Sequence, residues 1–199
     1  MTPKSPSQIA SFEAAETASF SQAWRSLAHG RLLPFLLLAL GTVSSGVYAH
    51  APLVSFAAMS GITLPRRRAI APALSIWLVN QIIGFIFRDY PLTGTAFMWG
   101  VLMGAGTLLA VLWASLRPAF SRSSWPGHFS WEIIAITVGF ALYQGLILLV
   151  YPLMADGHQM GWDIVASIFS KQVMWAGAIT LGHTALLWRQ MTLLSLTQD

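Results

Sequence analysis

Seven side chains lie inside or at the edge of strongly apolar stretches and could do chemistry there: Asn80, Gln81, Arg88, Tyr90, Trp99, Gln144 and Lys171. Amide and ionisable groups are expensive at membrane depth, so each is a candidate either for holding a ligand or for joining helices. Trp77, Gln81, Gly84 and Arg88 recur at i, i+4, i+7 and i+11, one narrow helical stripe bordered by Asn80. Leu78, Val79, Ile82 and Ile86 occupy the opposite side and suit lipid. The amides can read the polar edges of a small molecule, and Arg88 or Lys171 can neutralise an anionic group. Trp99 offers a ring for stacking. The plainer alternative is that Asn80 and Gln81 hydrogen-bond neighbouring helices.

Lys171 shares a stripe with Trp175, Ala178 and Gly182, while Gln172 and His183 form a second stripe beside it. If its helix begins at Trp162, Lys171 sits about 13 Å along the axis and needs a counter-charge or water. If the helix begins near Ile168, the lysine reaches the headgroups along its own stem. Glu132, near the start of its stretch, reads as an interfacial carboxylate favoured by a helix N-terminus. The glycines Gly100, Gly104 and Gly106 predict close helix packing. Trp24, Trp125, Trp131, Trp162 and Trp188 read as interfacial belt residues.

Catalysis finds little support. HExxH, GxSxG and phosphate-cradling loops are missing from the sequence, and so is any carboxylate cluster. With no cysteine there is no thiolate nucleophile and no cysteine-ligated metal. No cofactor is expected on the main reading. The alternative is a haem-binding or non-catalytic accessory subunit, for which His50 and His183 are the candidate axial ligands.

The elements that must position these groups follow from composition. Of 199 residues, 55% are hydrophobic and 9% charged, and the mean hydropathy is +0.63. Soluble domains carry about 25% charged residues, so the chain is expected to be an all-α integral membrane protein. The net charge of +4 is too small and scattered to suggest a nucleic-acid partner; the lipid bilayer is the partner expected. Residues 1–31 are polar, and Phe20, Trp24 and Leu27 share one face there, predicting a short surface helix. Residues 32–188 form the transmembrane domain and 189–199 a tail.

Apolar stretches cover residues 32–64, 69–87, 95–116, 129–155 and 162–188. A span needs about 20 residues, so four of them are single helices. The first is too long for one and short for two. If it returns the chain to its starting side, nine of the eleven cations share one face, Arg88 alone lies opposite and Lys171 lies inside a span. A single pass divides them six against four. The positive-inside rule favours the return, giving a compact bundle of five to six transmembrane helices with an irregular first hairpin. Both termini are then cytoplasmic, in an inner membrane. Arg31, the run 32–40 and Ala49-His50-Ala51 imitate a cleavable signal, but the polar leader is too long for one.

The segment Asn80-Gln81-Ile82-Ile83-Gly84-Phe85, then Tyr90-Pro91, then Thr95-Ala96-Phe97-Met98-Trp99-Gly100 resembles the substrate-binding (S) components of energy-coupling-factor vitamin transporters. The chain length, the compact passes and the irregular first hairpin are similar too. The resemblance implies binding and transport of a small molecule, such as a vitamin, near the outer face, alone or with an ATPase-driven module. It also implies a docking surface at Ala39, Gly41, Ser45 and Ala49. The family's alanine motif is not present there, and a cobalamin-binding member that ligates through cysteine is a poor match.

Overall fold

The computed structural model of the chain describes residues 6–154 and 161–196, with side chains from Thr17 onward. Seven α-helices and one short 3-10 turn make a helical membrane bundle, with no strand among the described residues. Helix α1 covers Pro6–His29, α2 Leu32–Val47, α3 Leu53–Thr63, α4 Arg66–Phe87 and α5 Gly94–Ala114. The 3-10 turn Ala119–Arg122 leads into α6, Trp125–Met154, and α7 covers Trp162–Leu196. Helices α4 to α7 are each long and apolar enough to cross a membrane, and α1 with α2 forms a pair bent by 62° at a short break.

Two arginines on α4 fix the direction of the first passes. Arg68, in its first turn, donates to the carbonyls of His29 (2.7 Å) and Gly30 (3.2 Å), where α1 gives way to α2. Arg88, at its other end, donates to the carbonyls of Ser45 (2.6 Å) and Gly46 (3.2 Å) in the last turn of α2. Each guanidinium thus occupies orphan carbonyls at a helix C-terminus. Helices α2 and α4 therefore run parallel, and residues 48–65 must carry the chain back between them. The irregular hairpin is this return.

Helix α3 makes the return with 11 residues, about 16 Å of helix and roughly half a bilayer core. Every one of its residues is buried. Its sequence is apolar or small all round and carries no charge, which suits a helix with no exposed face. It packs against α4, α5, α6 and α7 at the centre of the bundle. Gly61 lies against Val111 and Ala114 near the end of α5, and the Trp131 indole of α6 donates to the Ala114 carbonyl at 3.2 Å. The ends of α3 and α5 and the starts of α4 and α6 consequently share one end of the bundle. Arg25, Arg31, Arg66, Arg67, Arg68, Arg117, Arg122 and Arg189 belong to that end, while Arg88 belongs to the other; Lys4 lies outside the described residues.

Helix α1 packs on the last turns of α7. Phe20, Trp24 and Ala23 are buried with Leu187, Leu27 packs at their edge, and the Arg117 guanidinium lies 5.3 Å from the Trp24 ring. The apolar face read as a surface helix is therefore covered by protein. Trp24 and Trp131 are both 5% exposed, interior residues where belt residues were expected, whereas Trp162 and Trp188 are exposed. Helix α7 continues to Leu196, beyond residue 188 where the apolar stretch ends.

Candidate functional site

Two clusters of polar side chains stand at opposite ends of the bundle. The first surrounds the turn between α2 and α3. Lys171, from α7, lies with its Nζ 5.8 Å from the centre of the Tyr48 ring. Arg88 reaches the same region from α4. Its Nη2 is committed to the α2 carbonyls, while its Nη1 is buried without a hydrogen-bond partner. His50 sits in the turn itself. The residue is exposed, yet the surrounding chain partly desolvates it. That desolvation first, then the charges of Lys171 and Arg88, lower its pKa from the usual 6.5. Among the described residues no carboxylate pairs with Arg88 or Lys171. The cluster is cationic, and it backs onto a layer of aromatic rings, with Trp175 against Tyr48 and Phe56.

Placement at this end also answers the question of Lys171. The helix does begin at Trp162, but the lysine stem reaches the Tyr48 ring at the turn, so no buried acid is required of it.

The remaining residues singled out from the sequence are spread through the bundle. Asn80 and Gln81 are buried in α4, and each keeps one amide atom without a partner, Oδ1 and Nε2 respectively. Gln81 lies against Gly100 of α5. The Trp77 indole one turn earlier donates to the Gly100 carbonyl at 2.8 Å. Tyr90 folds its ring onto Gly84, beside Phe85. Trp99 pairs with Tyr151, ring centres 6.0 Å apart. Gln144 is buried in α6. Of the seven, Arg88 and Lys171 are brought to one place, while Gln81 faces α5 and Trp99 faces Tyr151 of α6. His50 and His183 stand at opposite ends of the bundle and do not form an axial pair. Gly41 and Ser45 turn inward, Gly41 against Ile76, leaving Ala49 exposed.

The second cluster was not legible as a site. His128 and Glu132, one turn apart on α6, meet Thr180 and His183, one turn apart on α7. The His128 and His183 ring centres are 5.1 Å apart, and both rings are buried. The Thr180 hydroxyl donates to Glu132 Oε1. Glu132 Oε2, both nitrogens of His128 and Nδ1 of His183 are buried without partners. Glu132 is 6% exposed and is the eighth residue of α6, so it is packed inside the protein and does not sit at a helix N-terminus as expected. Among the described residues no set of three or more metal-ligating side chains converges here or elsewhere. The i, i+4 spacing of His128 and Glu132 was the available signal; its partners on α7 were not predictable from sequence.

No family model matches the chain, and neither a curated protein nor a solved structure aligns with it significantly.

Proposed function

We propose that this multi-pass membrane protein binds a small anionic molecule at the turn between α2 and α3 and passes it across the bilayer. In that role it resembles a vitamin-binding S-component, working alone or with an ATPase-driven module. The observation that carries the reading is the buried, unpartnered Nη1 of Arg88 beside two further basic groups, His50 and Lys171. A buried guanidinium nitrogen is costly to leave unpaired, and an anion supplies the missing acceptor. The arginine-rich end is cytoplasmic on the positive-inside rule, which puts the anion site at the outer face of an inner membrane.

Native mass spectrometry of the detergent-purified protein tests this. An anionic adduct present at one per chain, and lost in Arg88→Gln and Lys171→Gln variants of normal folded yield, is the expected result. If no adduct is retained and both substitutions reduce only the folded yield, the protein is instead an accessory subunit whose polar residues join helices. The hydrogen bonds from Ser55 to Gln172 and from Trp77 to Gly100 are of that joining kind. A haem mass would overturn both.

A further inference from the structure

Helices α6 and α7 are consecutive but diverge, and a groove of about 650 Å³ opens between them. Ile136, Phe169, Gly177 and Leu181 are among its walls, and Glu132, Thr137 and Thr180 are its polar members. Along α7 the groove runs from Leu181 to Phe169, 12 residues or about 18 Å. That is close to the depth of one leaflet of a bilayer core of about 30 Å. Glu132 and Thr180 lie toward the arginine-rich end, and Phe169 lies deeper.

We propose that this groove holds a membrane amphiphile with a hydroxyl head and a single apolar chain, the hydroxyl donating to Glu132 and the chain lying toward Phe169. Three observations select that chemistry. Glu132 has one oxygen satisfied by Thr180, and its second, Oε2, is buried without a donor. No basic side chain pairs with the carboxyl among the described residues, which leaves Oε2 open to a donor from an occupant. An anionic head finds no cation among the groove walls, whereas a neutral hydroxyl pairs with a carboxyl in either protonation state. The polar end of the groove, at Glu132 and Thr180, is separate from the cationic turn, toward which the groove extends at Phe169, two residues before Lys171.

Photolabelling of the full chain in phosphatidylcholine vesicles tests the proposal. The probes are a diazirine-bearing long-chain primary alcohol and the same diazirine chain without the hydroxyl. Peptide mapping should find the alcohol on residues 129–137 and 169–181 several-fold above the alkane. Glu132→Leu should bring that ratio to about one by removing the acceptor. Gly177→Phe gives a second handle that leaves the carboxyl in place: a Cβ there meets nothing within 4 Å, so the ring enters the groove without a clash at its root. It should abolish the alcohol's preference for these peptides. Equal labelling by the two probes in the unmodified protein overturns the proposal. So does a preference that survives in Gly177→Phe, or in a folded Glu132→Leu.

Discussion

Gln172 caps the N-terminus of α3 from across the bundle. Its Oε1 accepts the Ser55 backbone N–H at 2.9 Å, and its backbone carbonyl accepts the Ser55 hydroxyl at 2.6 Å. Ser55 is the third helical residue of α3, so its N–H is one of the orphan donors that no helix satisfies internally. Both residues are buried, so water is not the natural substitute. A short helix at the centre of a membrane bundle therefore depends on a side chain 117 residues away.

Replacing Gln172 by Leu should accordingly destabilise the protein by about 1–3 kcal/mol, the penalty for stranding a buried donor. Gln172→Glu, which keeps an acceptor, should lie between the two if the carboxyl is protonated in place. Thermal unfolding in detergent, followed by size-exclusion chromatography, provides the comparison. An unchanged transition in Gln172→Leu would mean that the N–H finds another partner.

The glycines divide by what faces them. A Cβ at Gly104 would come within 2.7 Å of the Trp77 ring, and that indole is held by its bond to Gly100. At Gly145 and Gly182 a Cβ meets nothing within 4 Å. Gly104→Val should therefore collapse the folded yield, because neither ring nor backbone can retreat cheaply. Gly145→Ala and Gly182→Ala should be neutral or stabilising by up to about 1 kcal/mol through helix propensity. A fluorescence size-exclusion assay of the three variants would separate them, and equal yields would contradict the packing described.

The contrast shows what the sequence could and could not convey. Charge distribution was enough to find the hairpin, because membrane sidedness acts on each arginine independently of its neighbours. Helical stripes placed Trp77 and Gln81 on one face, which is the face that meets α5. Destinations were another matter. Gln172 and Lys171 are adjacent and both polar, yet one caps α3 and the other reaches the turn at Tyr48. Periodicity gives the direction of a side chain from its own helix; it carries no information on which helix lies there. The surroundings of Glu132 escaped the sequence for the same reason, since its partner Thr180 stands on a distant segment.

Arg68 predicts how firmly α1 is attached. Its guanidinium bonds the carbonyls of His29 and Gly30 at the end of α1, and charge-assisted bonds of this sort are worth about 1.5–3 kcal/mol. In Arg68→Met the amides of residues 28–34 should exchange faster with solvent deuterium, while those of α5 should be unaffected. Faster exchange throughout the chain would indicate global loss of stability, and no change would show that the contacts of Phe20 and Trp24 with Leu187 hold α1 alone.

His50 supplies the pH dependence. Its folded pKa lies below 6.5, through desolvation and then the positive charges of Lys171 and Arg88, so the ring is neutral at pH 7. The sign for stability follows: the unfolded chain binds the proton more readily, so stability is full above pH 6.5 and falls as the pH drops through the folded pKa. An anion bound between the three groups has the reverse effect. It favours the imidazolium, raises the His50 pKa and takes up a proton on binding. Affinity for an anion at this site should therefore rise severalfold between pH 7.5 and pH 5.5, by isothermal titration of the purified protein. In His50→Gln that rise should disappear, while binding at pH 7.5 is kept through Arg88 and Lys171. A pH dependence retained in His50→Gln would assign the proton to another group. Affinity that falls on acidification in the unmodified protein would contradict the arrangement of charges at the turn.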